Sequence, residues 1–237
     1  MSQLIEMPPM KMIARIHTDF VSKFGIPRQS GVAENLQAKI IFEPEYRQEA
    51  ALRGIEGFDY LWLIWLFSEA VRDNWSPTVR PPILGGNTRV GVFATRSPFR
   101  PNNLGLSSVK LEQYLPHTPD GPVVVVSGAD LLDGTPILDI KPYLAYVDSH
   151  PEAKQGFRGE GWQRTLQVDF PADLLELVPP EKRAGLCEVL ANDPRPSYHR
   201  DAERIYVMPF GQQEIAFQVQ EKQLVVVEVR KLAKDLR

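Results

Sequence analysis

The sequence of 237 residues is poor in the side chains that build disulfides and metal sites. It contains one cysteine, Cys187, which excludes an intramolecular disulfide and a cysteine-rich zinc site. The four histidines lie far apart and form no His-Glu-x-x-His pair, so we expect no histidine-based metal site. The longest apolar run, residues 60–67, is far shorter than the roughly 18 residues of a membrane span.

Several nucleotide-binding and catalytic motifs are also missing. There is no Gly-x-Gly-x-x-Gly fingerprint, no phosphate-binding P-loop motif and no Gly-x-Ser-x-Gly elbow. A Rossmann fold, P-loop phosphoryl transfer and an α/β-hydrolase therefore have no support. The N-terminal residues show no basic segment followed by an apolar one, so we expect no secretory signal and a cytoplasmic protein.

Acidic residues are absent between positions 73 and 112, although the whole chain has a net charge of −3. The same stretch carries five basic residues: Arg80, Arg89, Arg96, Arg100 and Lys110. A slightly acidic protein with one purely basic segment is typical of a positive patch that faces an anion. Chance clustering of separately solvated charges explains the composition equally well.

Strand patterns dominate the first two thirds of the chain. Residues 60–67 form an apolar, aromatic run that suits a strand buried on both faces, and residues 89–95, 123–127 and 137–141 also predict strands. Asp133-Gly134 indicates a tight turn. The proline- and glycine-rich segments 75–86 and 97–103 predict rigid loops, and this pattern favours a sheet or barrel with function on its rim.

The pattern changes after the glycine-containing segment 155–161. Residues 173–178 predict a short helix, and Pro180 begins a second one with Leu186, Val189 and Leu190 on its apolar face. Strands are expected at 215–219 and 224–229. The predicted fold class is mainly β or α+β: an N-terminal, non-Rossmann β-barrel over residues 1–155 and a small C-terminal α+β domain over residues 156–237.

The segment 91–107 is rich in residues that bind anions. Arg96 and Arg100 lie on either side of Pro98, and a proline-stiffened loop presents guanidinium groups at low ordering cost to a phosphate or carboxylate. Gly105 permits a backbone geometry or a close approach that a side chain would forbid. The alternative is a loop pinned by arginine-to-carbonyl hydrogen bonds.

Three aspartates follow within ten residues. Asp130, Asp133 and Asp139 could bind a metal, act as bases or hold ribose hydroxyls. Asp133 is equally explained by its Asp-Gly turn, and Asp139 by pairing with Lys141 along one strand face. The spacing matches no calcium or magnesium loop, so no metal is predicted.

A third segment, residues 192–200, again places an arginine between prolines. Arg195 is followed by Tyr198 and Arg200, and an arginine beside an aromatic ring suits the phosphate and base of a nucleotide. A plain structural turn is an equally good interpretation.

Taken together, these segments resemble the TsaA-like family, in its two-domain TrmO type of tRNA adenosine N6-methyltransferases. The matching pieces are residues 26–29, 77–82, 84–87, 91–102 (Gly-Val-Phe-Ala-Thr-Arg-Ser-Pro-Phe-Arg-Pro-Asn), 133–136, 139–143 and 193–196. The chain departs from the family at Asn103-Leu104, where Pro-Ile is frequent, and at Thr18-Asp19, where Ser-Pro is frequent.

The resemblance implies a β-barrel homodimer that binds S-adenosylmethionine and acts on tRNA. Its implied cofactor contacts are Pro27, Arg28, Gln29, Ser68, Glu69, Arg96, Leu106, Asp130, Leu131, Leu132 and Asp133. The expected tRNA contacts are Arg100, Lys141, Tyr143, Arg195, Tyr198 and Arg200. The implied substrate is threonylcarbamoyladenosine at position 37, whose amide-like N6 calls for a general base that the sequence does not identify.

Two other functions remain open at this point. A non-catalytic module that binds tRNA or adenosylmethionine would keep the basic patch without transferring a methyl group. A metal-dependent hydrolase would use Asp130, Asp133 and Asp139 around an ion, and its activity would be sensitive to chelators.

Overall fold

The computed structural model describes residues 8–158, 165–195 and 201–233. Within these ranges the chain forms twelve strands, in the order β1 (Ala14–His17), β2 (Gln37–Phe42), β3 (Tyr60–Leu66), β4 (Thr78–Val79), β5 (Val90–Gly91), β6 (Leu104–Leu115), β7 (Val123–Ser127), β8 (Thr135–Pro142), β9 (Gln167–Asp169), β10 (Tyr206–Phe210), β11 (Gln213–Gln220) and β12 (Gln223–Lys231). The α-helices are α1 (Glu49–Leu52), α2 (Ala145–Asp148), α3 (Ala172–Glu176) and α4 (Pro180–Ala191). Short 3-10 turns cover Pro44–Tyr46, Ile55–Gly57, Ser68–Ala70, Pro82–Leu84, Val92–Ala94 and Gly156–Arg158.

A closed antiparallel barrel occupies the first two thirds of the chain, in the strand order β1-β2-β7-β6-β3-β8. Its interior is apolar, with Ile16, Ile40, Leu63 and Ile137 fully buried. The β-branched run of β7 is buried along its whole length, as its composition predicts. The predicted barrel is thus confirmed, and the mainly β fold class with it.

Strand β3 differs from its prediction in one respect. Its residues alternate between buried and partly exposed instead of being buried on both faces. The outward side chains, among them Trp62 and Leu66, line a cavity outside the barrel, so their apolar character serves that surface and not the core.

The predicted strand at 89–95 is wrong beyond Gly91. Only Val90 and Gly91 pair with β4, and the chain then enters the 3-10 turn Val92–Ala94. Thr95 closes this turn, because its backbone N–H and its hydroxyl both donate to the Val92 carbonyl, at 3.1 and 2.8 Å. The segment therefore turns at the barrel rim instead of crossing the sheet.

A second core lies around the sheet β10-β11-β12-β9, on which α4 packs with Leu186, Val189 and Leu190 buried as predicted. This core also receives Phe20, Ala33 and Leu36 from residues 18–36, the long connection between β1 and β2. The division of the chain into two domains at residue 155 stays a prediction. Residues from before this position contribute to the core that forms after it. None of the helices in the described ranges has the length and apolar character needed to cross a bilayer.

Candidate functional site

A cavity of about 810 Å³ opens at the end of the barrel where β3 finishes and β6 begins. Its walls come from four stretches of chain: the β1–β2 connection, the end of β3 with the following 3-10 turn, the loop 95–100 with the start of β6, and the segment after β7. The volume falls within the roughly 300–1,000 Å³ of small-molecule sites. The structure thus brings the arginine-rich loop and the first of the three aspartates to one place.

The barrel side of the cavity, which we call the barrel wall, consists of Trp65, Gly105 and Asp130 with Ser107 behind them. A Cβ atom at Gly105 would lie 2.2 Å from the Trp65 indole, so only glycine allows this ring to pack against β6. The close approach predicted for Gly105 is confirmed. Trp65 Nε1 donates to Ser107 Oγ at 3.0 Å, and Ser107 Oγ donates to Asp130 Oδ1 at 2.6 Å.

Asp130 has an environment that favours its neutral form. Burial raises the pKa of this carboxyl above its ordinary value, while the hydrogen bond from Ser107 and the nearby charge of Arg96 act in the opposite direction. A carboxyl with a perturbed pKa in a cleft is typical of a functional site.

The opposite side, which we call the connection wall, is formed by residues 27–30 of the β1–β2 connection. Its flanking residues belong to the second core: Phe20 meets Phe210 with ring centroids 6.2 Å apart, and Phe24 stacks on Phe217. Gly25 lies directly on Met208, where a Cβ atom would come within 2.4 Å of the sulfur. The connection wall is therefore built on the second sheet.

Two polar contacts tie the connection wall to its surroundings. Arg96 Nη1 donates to Gln29 Oε1, which joins the arginine-rich loop to the wall. Arg28 Nη2 donates to the Arg195 carbonyl at 3.0 Å, which joins the wall to the segment after α4.

The guanidinium of Arg195 is engaged within its own segment. Its Nε and Nη2 donate to the two carboxylate oxygens of Asp193 at 2.8 and 2.9 Å, and both side chains are largely buried. Asp193 has a φ of 51°, a left-handed conformation that Asp tolerates better than most residues. This bidentate pair fixes the carbonyl that Arg28 contacts.

Most of the residues predicted to contact the cofactor lie together at the cavity. Nine of the eleven line the cavity: Pro27, Arg28, Gln29, Ser68, Glu69, Arg96, Leu106, Asp130 and Leu132. Leu131 is fully buried in the barrel core, because it follows β7 on its inward side. Asp133 accepts a hydrogen bond from the Thr18 backbone N–H at 3.0 Å and lies outside the cavity.

The predicted tRNA residues are more scattered. Arg100 lines the cavity, and its Nη1 donates to the Thr95 carbonyl at 2.8 Å, as in the alternative of a pinned loop. Lys141 pairs with Asp139 at 2.8 Å, and Tyr143 packs on Trp62 with ring centroids 5.5 Å apart. Tyr198 and Arg200 lie outside the described residues.

Sequence reasoning missed the apolar lining of the cavity. Its rings come from Trp62, Trp65, Phe67 and Phe99. The ring centroids of Trp65 and Phe67 are 4.1 Å apart. The aromatic enrichment of residues 60–67 was the available signal, but strand periodicity alone does not say that the outer face covers a ligand site.

The three aspartates do not form one site. Asp130 binds Ser107, Asp133 binds the Thr18 backbone, and Asp139 pairs with Lys141. Across the part of the chain that the structure describes, no group of three or more Asp, Glu, His or Cys side chains could hold a metal ion. The arrangement that a metal-dependent hydrolase needs is therefore not present there.

Comparison with known families gives two matches along the chain. Residues 15–149 match the tRNA-methyltransferase O N-terminal domain, and residues 163–232 match the TrmO C-terminal domain. The chain belongs to the TrmO family. The resemblance noted in the sequence is thereby confirmed.

Relatives and solved structures of the TrmO family agree with this assignment. A tRNA (adenine(37)-N6)-methyltransferase of Escherichia coli is 39% identical, over 81% of this chain and 84% of that protein. A protein of the same name from Eikenella corrodens is 44% identical, over 72% and 96%. A crystal structure of TrmO from Pseudomonas aeruginosa superimposes with a TM-score of 0.76 at 30% identity, over 96% of this chain and 98% of that one.

Proposed function

We propose that this protein transfers a methyl group from S-adenosylmethionine to N6 of adenine 37 in tRNA. The observation that carries the proposal is the cavity, which places Arg96, Asp130 and four aromatic rings together in a TrmO-family chain. Two relatives named tRNA (adenine(37)-N6)-methyltransferase support the reaction.

The residues that line the cavity fit adenosylmethionine in their chemistry. Arg96 suits the carboxylate of its methionine part, since guanidinium and carboxylate form charge-assisted hydrogen bonds. Asp130 suits ribose hydroxyls or the amino group, and the rings of Trp65, Phe67 and Phe99 suit the adenine face. When bound there, adenosylmethionine supplies an electrophilic methyl group on a positively charged sulfur.

The finer proposal concerns the substrate, which we take to be threonylcarbamoyladenosine. Its N6 is amide-like, so its lone pair is delocalised while its N–H is comparatively acidic. Removing this proton restores nucleophilicity, and Glu69 and Asp130 are carboxylates that line the cavity.

The threonyl arm carries its own carboxylate, which needs a positive partner. Arg28 and Arg100 both line the cavity and are held by backbone carbonyls, so their positions are fixed before a ligand arrives. A preorganised guanidinium loses little freedom when it binds an anion. We propose that one of these arginines receives that carboxylate.

The test of the proposal follows label from the cofactor into RNA. The protein is incubated with methyl-labelled adenosylmethionine and bulk tRNA from a strain that lacks the homologous activity, in parallel with an unmodified tRNA transcript. We expect label in N6-methylated threonylcarbamoyladenosine of the bulk tRNA and none in the transcript. Label in both would overturn the threonylcarbamoyl requirement, and label in neither would overturn methyl transfer to tRNA.

Arg96→Ala separates the enzyme from a non-catalytic sensor. We expect the variant to bind S-adenosylhomocysteine roughly 10- to 100-fold more weakly, because a hydrogen-bonded charge is lost. Methyl transfer should fall with it. The matched control, Arg53→Ala, removes an exposed arginine that does not line the cavity and should behave as wild type. If the wild type bound both tRNA and S-adenosylhomocysteine but transferred no label to the RNA, the non-catalytic binding module would be favoured.

We also propose a two-fold homodimer formed by the barrel. The outer face of the β3–β6 pair carries Tyr60, which is 43% exposed, and Leu106, which is 56% exposed and also lines the cavity, so an interface on this face would border the site. Exposed apolar surface on a sheet is typical of a protein interface. Sedimentation of the wild type should give a dimer, and Tyr60→Glu should give a larger monomer fraction.

A further inference from the structure

Two large aromatic side chains lie side by side on the surface, outside the cavity. Phe93 is 72% exposed and Trp75 is 52% exposed, and their ring centroids are 6.1 Å apart at an interplanar angle of 32°. One exposed apolar residue requires no explanation, but an adjacent pair of rings indicates a surface made for contact. We call this pair the aromatic platform.

The aromatic platform rests on a fixed scaffold. The short ladder of β4 and β5 pairs Thr78 with Gly91, and the Val92 N–H donates to the Pro77 carbonyl at 2.9 Å. Val92 is buried at 1% exposure, which anchors the turn and holds the next side chain, Phe93, outwards. The exposure of Phe93 therefore follows from the fold of this segment.

The surroundings of the platform carry positive charge. No Asp or Glu occurs from residue 74 to residue 111. Arg89 lies on the same hairpin, with its Nη1 donating to Thr78 Oγ1 at 2.9 Å, and the Arg72 guanidinium lies 3.7 Å above the Phe99 ring. Aromatic rings among arginines are the combination that binds single-stranded nucleic acid, by stacking on bases and by charge to phosphates.

A smaller cavity of about 240 Å³ lies beside Trp75 of the platform and shares lining residues with the main cavity. Trp75 lines it together with Arg72 and Asn74, whose amide can hydrogen-bond to a base edge; the carboxylate of Asp73 lines it as well. Ala70, Phe99 and Arg100 line both cavities. A nucleotide at the platform would thus neighbour one whose base enters the main cavity.

We propose that Trp75 and Phe93 stack on an unpaired nucleobase that flanks the target adenine in the RNA. The assignment rests on the tRNA methylation proposed above. Bases in single-stranded loops are free to leave their own stack, and an aromatic face accepts any of them, so the platform sets the position of the RNA more than its sequence.

The test measures the dissociation constant of an anticodon stem-loop RNA for the wild type, three platform variants and one control variant. Phe93→Ala and Trp75→Ala should each weaken binding roughly 5- to 100-fold, the range for loss of one stacked base. Phe93→Tyr should restore most of the affinity because it keeps the ring. The matched control, Phe157→Ala, removes another partly exposed phenylalanine and should bind like the wild type.

Two further measurements separate stacking from other causes. The salt dependence of binding should keep its slope in Phe93→Ala, since no phosphate contact is lost, and S-adenosylhomocysteine should bind with unchanged affinity. A stem-loop with an abasic nucleotide beside the target should bind the wild type as weakly as the intact RNA binds Phe93→Ala. Phe93→Ala should bind the abasic RNA hardly more weakly than the wild type does, as expected when the ring and the base are the two partners of one contact.

Several results would overturn the platform while leaving methyl transfer intact. One is that both alanine variants bind the RNA as tightly as the wild type; another is that Phe93→Ala reduces the slope of the salt dependence. The third is that the losses of binding free energy from Phe93→Ala and from the abasic nucleotide add in full, whichever flanking position is abasic. If the wild type neither binds the stem-loop nor methylates tRNA, the proposed function itself fails.

Discussion

The barrel wall and the connection wall face the same cavity but are held by different parts of the molecule. Trp65, Gly105 and Asp130 belong to strands or strand ends of the barrel and connect through Ser107. Residues 27–30 instead depend on the packing of residues 18–36 against the second sheet and on Arg195. The second core therefore supports the site through residues 18–36, which precede the strands of its sheet by more than a hundred residues.

The largest effect is expected from breaking the support of the connection wall. Asp193→Asn keeps the left-handed conformation but removes the charge that holds Arg195, and it should lower the free energy of unfolding by about 3 kcal/mol, as for a broken buried ion pair. Because Arg28 contacts the Arg195 carbonyl, affinity for S-adenosylhomocysteine should fall as well. Denaturant unfolding and calorimetry measure the two quantities.

The control for this variant is Asp173→Asn, which removes an exposed carboxylate from α3 in the same domain. It should change the stability by no more than a few tenths of a kcal/mol. If Asp193→Asn lost stability but bound S-adenosylhomocysteine like the wild type, the connection wall would not depend on the second domain.

A smaller effect is expected from disturbing the barrel wall. Gly105→Ala forces the Trp65 indole to move, and overpacking of this kind lowers the free energy of unfolding by about 1–3 kcal/mol. The displaced ring should also reduce affinity for S-adenosylhomocysteine. Gly57→Ala, where an added Cβ meets nothing within 4 Å, is the matched control in thermal unfolding and calorimetry. If Gly105→Ala and Gly57→Ala had the same stability and the same affinity for S-adenosylhomocysteine, Gly105 would not be needed to position Trp65.

The smallest effect concerns the charge of Asp130. Because burial raises the pKa of this carboxyl above 3.8, the folded protein retains its proton to higher pH than the unfolded chain. The free energy of unfolding therefore falls as the pH rises from that ordinary value through the folded pKa. Asp130→Asn should lack this loss and gain stability relative to the wild type across the same window.

Unfolding of both proteins in denaturant at a series of pH values checks this sign. If the difference in the free energy of unfolding between Asp130→Asn and the wild type stayed constant from pH 3 to pH 7, Asp130 would have the same pKa in the folded and the unfolded chain.

Local patterns predicted those elements whose cause is local. Pro180 correctly marked the start of α4, the valine run predicted β7, and the Asp-Gly pair predicted the turn at Gly134, which has a φ of 76°. The segment 97–103 and Gly105, which the sequence singled out, supply part of the cavity lining. These features depend on backbone preferences that a few neighbouring residues decide.

The connection wall could not be predicted, because its support comes from long-range packing. Phe20, Phe24 and Leu36 carry no periodic pattern that assigns them to a core nearly two hundred residues away along the chain. Arg195 illustrates the same limit, since the sequence predicted an anion contact for a guanidinium that Asp193 holds in the structure. Whether RNA also reaches this arginine remains a prediction.

We expect adenosylmethionine to lie between the barrel wall and the connection wall, and a crystal structure with bound S-adenosylhomocysteine would show this position. We expect the ligand in the cavity of about 810 Å³, with its carboxylate at Arg96 and with contacts to both Asp130 and residues 27–29. A ligand bound at another place, or one that touches the barrel wall alone and leaves the connection wall without contact, would contradict the account.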